Sequence, residues 1–376
     1  MIIKTLTTYD VYNYGASLQA FALLKYLKGK GHDAQIIRYQ PVYLSRKYDY
    51  KWVNPESRMS KYAVTRFVYR IGKFIQRQTT LGRKRMFDFF NHHVLDETET
   101  LYTTFDELKS NPPKADLYIC GSDQIWNVLY DAGRDPAFYL DFAPEGRKKG
   151  SYAASFSYLN IDEENKKRIC NSLTSFDAVS VREYHGINIL ETMGIKGEWV
   201  LDPVFLINSS DWKDFASKGK YDINPNEDFL LLYDFEGNPL LKRCAINYAK
   251  EKKLKIYAIV DTYGLRYADK NFSDAGPYEF VQLINNCKAF ISNSFHGTAF
   301  SIIFHKPFFV FNRNRHPVNS RMESLTKLFH LEDCIIDTKE KENGMTSKSF
   351  DWIMIDEKKK EMIERSKAFL QKLCDR

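Results

Sequence analysis

The sequence predicts an α/β protein of two Rossmann-like domains facing across a cleft. Three observations carry that expectation. Short apolar runs of strand length alternate with amphipathic runs of helix length along most of the chain, as parallel doubly wound sheets require. At 376 residues the chain is long enough for two such units. In the run FISNSFHGTA at 290–299 an apolar strand passes into small polar residues, a histidine and a helix. That places the His296 imidazole at a strand carboxyl end beside a helix amino terminus. Open α/β sheets bind ligands at such positions, and helix amino termini favour anions.

The elements follow in order. Residues 2–8 read as a first strand, 10–15 as a loop, 16–30 as an amphipathic helix and 34–39 as a second strand. Gly15 sits where a tight turn or a close ligand approach needs it. Residues 42–110 interrupt the alternation. Within them, Tyr62, Val64, Phe67, Val68, Ile71, Phe74 and Ile75 recur at helical spacing among basic residues. The alternation resumes at 115–120, a strand that leads into Gly121-Ser122-Asp123-Gln124, a loop dense in polar groups. A strand at 149–156, a helix at 162–175 and a strand at 178–181 follow, the last delivering Arg182 and Glu183 at its end. An arginine there either grips a carboxylate or phosphate with two parallel bonds or pairs with an acid such as Glu183 or Asp202.

A helix at 186–193 and the run 199–203 close a first domain, 1–207. The turn-rich stretch 208–226 marks the junction. A second α/β unit, 226–356, has strands at 229–233, 254–260, 289–292 and 307–311, with helices at 240–252, 277–286 and 297–304. Residues 357–374 read as a terminal helix that packs back on the first domain. Two β/α lobes across a cleft describe the glycosyltransferase-B architecture.

Composition narrows the function. The net charge of +7 is localised: 58–85 holds nine Lys/Arg and no Asp or Glu, contributing +9 and leaving the remainder at −2. That argues against nucleic-acid binding and for one cationic amphipathic segment, suited to an anionic membrane surface, to embracing a phosphate-bearing substrate, or to packing as an ordinary solvated helix. The six cysteines are widely spaced with no CxxC, which fits reduced thiols in a cytoplasmic protein. No signal-peptide pattern and no apolar run of membrane-spanning length occurs. No metal-ligand spacing, P-loop or GxSxG elbow is present, so neither a metal nor a cofactor is expected. What remains is a histidine able to move a proton near neutral pH, with Arg182, Arg313, Arg315 and Arg321 able to hold a small polyanion.

Six runs in order carry a family resemblance: NYGASLQAFAL at 13–23, GSDQIWN at 121–127, SYAASF at 151–156, SVRE at 180–183, VLDPV at 200–204 and SNSFHG at 292–297. The chain resembles the polysaccharide pyruvyl transferase family. The resemblance implies a glycosyltransferase-B-like fold and transfer of pyruvate from phosphoenolpyruvate, as co-substrate, to a sugar. The product is usually a cyclic ketal, and phosphate is released. It puts the donor-protonating histidine on His296 and the strand-end arginine on Arg182. A basic residue after the Pro307 strand holds the donor, and Arg313 or Arg315 fills that place; Arg321 joins the anion-holding set. Asn13, Asp123, Gln124 and Asn127 are expected to bind acceptor hydroxyls, with Asp123 a candidate base and Gly15 and Ser294 completing the binding set. The acceptor implied is a capsular or exopolysaccharide repeat, carried on a polyprenyl diphosphate at the inner face of the cytoplasmic membrane, where residues 58–85 would dock. Two other readings stay open: a glycosyltransferase of the same architecture using a nucleotide sugar, and a non-catalytic glycan-binding or scaffolding protein.

Overall fold

A computed structural model describes every residue except 45–47, 50, 54–56, 160, 314–318 and 376. The chain opens with β1 (Ile2–Leu6), α1 (Tyr14–Gly29) and β2 (Asp33–Ile36). The interruption then forms α2 (Ala63–Gln78), α3 (Leu81–His93) and α4 (Phe105–Ser110). The first lobe continues with β3 (Leu117–Cys120), β4 (Lys148–Ser151), α5 (Glu163–Leu173), β5 (Ser180–Val181), α6 (Tyr184–Thr192) and β6 (Glu198–Trp199). Its strands run parallel in the order β2-β1-β3-β4. Bridges from Gly150 to Ala178 and from Ala154 to Val181 carry the order on to the parallel pair β5-β6.

A connecting helix, α7 (Ser209–Ala216), leads into the second lobe. That lobe contains β7 (Phe229–Tyr233), α8 (Pro239–Lys252), β8 (Lys255–Ile259), β9 (Lys270–Phe272), α9 (Pro277–Asn286), β10 (Ala289–Ser292), α10 (Phe295–Ile303), β11 (Phe308–Val310) and α11 (Ser320–Leu328). Then come α12 (Lys339–Gly344) and α13 (Trp352–Asp375). The five strands form one parallel sheet, β11-β10-β7-β8-β9. β3, β7 and β10 are buried at every position, as central strands covered by helices on both faces must be.

Each sheet reverses its strand order once, between β1 and β3 and between β7 and β10. Crevices at such reversals are where doubly wound sheets take ligands. The lobes are joined by a shared apolar core. Tyr14 of α1 stacks on Phe280 of α9 at 4.4 Å, and its hydroxyl donates to the Ala275 carbonyl. The terminal helix α13 returns to the first lobe: Ser366 Oγ accepts from the Leu201 N–H, and Leu373 fills the space beside Gly150.

The stretch expected to be a turn-rich junction contains α7 instead. Asn208 caps it by accepting from the Asp211 N–H at 2.7 Å. Trp212 and Phe215 then bury against Phe21 of the first lobe and against Phe300 and Tyr278 of the second. Packing on both lobes outweighs the polar composition of its neighbours. Helix α10 begins at Phe295, two residues earlier than its sequence pattern suggests, because Ser294 caps it by accepting from the Gly297 N–H. His296 therefore lies in the first turn of the helix.

Candidate active site

The two strand-order reversals open onto one cavity of about 220 Å³. The first lobe brings Asn13 from the β1–α1 loop and Asp123 and Gln124 from the turn after β3. The second brings Ser294, Phe295 and His296 from the β10–α10 turn, with Arg313 and Arg321 from the segment beyond β11.

His296 is held from two sides. A Cβ on Gly15 would lie closer to the imidazole Nδ1 than the 3.0 Å that real Cβ atoms respect. Glycine at 15 therefore lets the amino end of α1 approach the ring, and Gly15 meets the histidine where the sequence suggested a ligand. On the other side Nε2 lies 3.2 Å from Asp202 Oδ2. Nε2 is buried and makes no hydrogen bond despite that approach, while the residue as a whole borders the cavity.

Asp202 is the centre of this arrangement. Its Oδ2 also accepts from Arg182 Nη1 at 2.7 Å, and its Oδ1 accepts from the Val204 N–H at 3.1 Å. Complete burial pushes its carboxyl pKa upward. His296 and Arg182 together outweigh that and hold the group well below the usual carboxylate range. An ionised carboxylate 3.2 Å from Nε2 orients the ring electrostatically.

Arg182 does not stand on the cavity wall, where an arginine gripping substrate would have to be. Its Nη2 donates to Asp123 Oδ1 at 3.2 Å, and its guanidinium lies 4.4 Å from the centre of the Phe295 ring. Phe295 thus screens it from the cleft, and its two carboxylate partners make it a positioning residue. Burial lowers its pKa, but Asp202 and Asp123 more than reverse that. Of the two alternatives read from the sequence, pairing with Asp202 is the one found. Glu183 turns away and accepts from Ser155 Oγ and the Ser157 N–H, each at 3.0 Å.

Arg321 is the poorly compensated cation of the group. It is buried, stands 3.8 Å from Asp123 and lies within 3.0 Å of the Gln124 amide. Burial and then the nearby Arg182 hold its pKa down to about 10, against the pull of Asp123. An anion entering the cavity would relieve both. Arg313 Nε donates to Glu236 Oε1 at 3.0 Å at the cavity edge. Arg315 lies outside the described residues.

Asn13 lines the cavity while its Oδ1 caps α1, accepting from the N–H groups of Gly15 (2.9 Å) and Ala16 (3.3 Å). Asp123 sits at a positive φ of 70°, just after Gly121 at 108°. A side chain at 121 would strike the Tyr152 carbonyl, so the glycine lets the turn aim Asp123 inward. Asn127 is absent from the cavity: it is fully buried, and its Oδ1 accepts from the Leu129 N–H to shape its own loop. Sequence reasoning named Asp202 as a possible partner of Arg182 and as part of the VLDPV run, but not as a neighbour of His296. It also missed Glu236, whose sequence neighbours carry no signal.

The fold is a two-lobed α/β architecture of the glycosyltransferase-B class, with a cleft between its lobes that His296, Arg313 and Arg321 line. Among solved structures, the UDP-GlcNAc 2-epimerase of Neisseria meningitidis bound to UDP-GlcNAc is similar in fold at a TM-score of 0.52 and 12% identity, over 100% of both chains. A point mutant of S. aureus TarM, in complex with fondaparinux, alpha-GlcNAc-glycerol and UDP, is similar at a TM-score of 0.50 and 9% identity, over 100% of this chain and 99% of that one. No curated protein matches the chain. The family described as "Polysaccharide pyruvyl transferase" matches residues 13–315, and the chain belongs to that family.

Proposed function

We propose that the protein transfers the pyruvyl group of phosphoenolpyruvate to a saccharide of a capsular or exopolysaccharide repeat carried on a polyprenyl diphosphate. The product is a pyruvate ketal and phosphate is released. The observation that carries this reading is the His296 ring. Its Nε2 lies 3.2 Å from Asp202, and the residue borders a cavity that Arg321 and Arg313 also line. A proton donor beside an under-compensated cation suits an acid-labile enol phosphate.

In this mechanism Arg321 and Arg313 hold the donor's carboxylate and phosphate. His296 delivers a proton to the methylene carbon, which becomes a methyl group, and positive charge develops at C2. One sugar hydroxyl adds to C2 and returns its proton to His296. The C2–O bond to phosphate then breaks, and the second hydroxyl closes the ketal. Its proton leaves with the phosphate. Asn13 and Gln124 orient the acceptor hydroxyls, and Asp123, paired with two arginines, holds those guanidiniums in place. The pairing argues against Asp123 as the base. No step requires a metal or bound cofactor.

The test is incubation with phosphoenolpyruvate and a panel of lipid-linked saccharides, following mass gain and phosphate release. One phosphate per ketal formed is the expected result. Calorimetry with phosphoenolpyruvate and with UDP-sugars in parallel separates this reading from a nucleotide-sugar transferase. Binding of the nucleotide sugar alone would overturn it.

A further inference from the structure

Helix α2 is seated with its amphipathic faces reversed. An ordinary surface helix turns its apolar stripe to the core and its charges to water. Here the cationic side meets the protein. Lys73 Nζ donates to the carbonyls of Asp49 (2.6 Å) and Trp52 (3.2 Å), and Arg70 Nε to that of Lys51 (3.1 Å). Arg77 stands 3.8 Å from Asp261 and lies over the Tyr48 ring. No residue of α2 is buried. Val64, Phe67, Val68, Ile71 and Ile75, spaced as one helical face, are 44% to 73% exposed. The stripe points away from the body of the protein.

An apolar stripe held outward on a 16-residue helix is a docking surface, and charge selects its occupant. Arg58, Lys61, Arg66 and Arg85 are exposed in the same segment, which contains no Asp or Glu. A second copy laid on this face would set cationic flank against cationic flank with no acid in the segment to pair them. An anionic lipid surface satisfies both features at once: its acyl boundary takes the stripe and its headgroups take the flanking cations. We infer that α2 seats the protein on an anionic bilayer, lying in the interface plane. Among the described residues no helix is long and apolar enough to cross a membrane, and this mode of attachment needs none. The inference stands on α2 and the cations flanking it, and does not depend on the chemistry of the cleft.

The experiment is cosedimentation of the full chain with phosphatidylcholine vesicles, with and without phosphatidylglycerol, across a salt series. The wild type should bind the anionic vesicles and leave the neutral ones largely free. The variant Phe67→Ser/Ile71→Ser/Ile75→Ser should lose at least about tenfold in partitioning. The variant Arg58→Gln/Lys61→Gln/Arg66→Gln should weaken binding by about fivefold per charge removed and flatten its salt dependence. Wild type that stays in the supernatant, or a Ser variant that binds as well as wild type, overturns the inference. So does a wild-type dimer in sedimentation velocity that the Ser substitutions convert to monomer, since that assigns the face to a second copy. Phosphoenolpyruvate binding by the Ser variant, read by calorimetry, reports on the cleft independently.

Discussion

The two lobes contribute to the cleft in different ways. At the first-lobe reversal, polar side chains are largely engaged with the protein itself. Asn13 caps a helix, Asp123 receives Arg182 and stands beside Arg321, and Asp202 receives Arg182 and faces His296. At the second-lobe reversal, His296 Nε2 is buried beside Asp202 without a hydrogen bond, and Arg321, held only 3.8 Å from Asp123, is buried with an unpartnered Nε, although in the first lobe Arg182 Nε and Glu183 Oε2 are unpartnered too. The first lobe is a fixed electrostatic frame, and the second presents groups whose bonding is incomplete until a ligand arrives. A mutation in the frame should therefore damage stability and catalysis together, whereas one in the second lobe should damage chiefly catalysis or donor binding.

The largest effect tests the second lobe. His296→Ala should lower ketal formation by about 10²- to 10⁴-fold, while phosphoenolpyruvate affinity stays near wild type and the thermal midpoint falls less than in a frame variant, since Arg182 still pairs with Asp202. An unfolded variant, or one with full activity, would erase the contrast between the lobes. Asp202→Asn tests the frame. Breaking a buried ion pair by neutralising one partner costs about 3–5 kcal/mol, so denaturant unfolding at neutral pH should show a loss of that order together with a fall in kcat. The pH dependence has a definite sign. A carboxyl whose folded pKa is depressed stabilises the fold above its unfolded value near about 4 and loses that contribution as pH falls toward the folded value. The stability gap between wild type and Asp202→Asn should be widest at neutral pH and narrow below about pH 4. A gap independent of pH would mean that Asp202 acts through packing.

Gly15→Ala sharpens the comparison from the interface of the lobes. Its new Cβ must displace the His296 ring, and misplacement of a reacting group by about 1 Å costs about 10²-fold. The loss should fall on kcat and leave KM for phosphoenolpyruvate nearly unchanged. Arg321→Gln should do the reverse. If Arg321 holds the donor as proposed, the substitution removes a charge-assisted contact worth about 1.5–3 kcal/mol and raises KM about tenfold or more.

How far the sequence foretold this follows from what each element depends on. β3, β7 and β10 were legible because strands buried on both faces read as continuous apolar runs. His296 was legible because a strand end, small polar residues and a helix start are all local. Helix α7 was not, since Trp212 and Phe215 find their partners on two different lobes. The role of Arg182 was legible only as a pair of alternatives, because the direction of an arginine is decided by acids distant in sequence, here Asp202 and Asp123. Asn127 illustrates the same limit: its motif neighbours reach the cavity, while its own side chain serves the loop. Asp202 was legible as a possible partner of Arg182, but its approach to His296 was not, because that brings together segments that no window of sequence contains.

The smallest expected effect separates two duties of one frame residue. Asn13 caps α1 with its Oδ1 and also lines the cavity. Asn13→Ala should cost about 1 kcal/mol through loss of the cap and should also raise KM for the acceptor. Asn13→Ser keeps a capping oxygen and removes the amide donor. If the first lobe is a frame whose residues also touch the acceptor, the Ser variant should melt within about a degree of wild type while acceptor KM rises as in the Ala variant. If acceptor KM instead follows the stability of α1, recovering in Asn13→Ser, then Asn13 acts only by holding the helix that carries Gly15 against His296, and the first lobe's contribution to substrate binding is indirect.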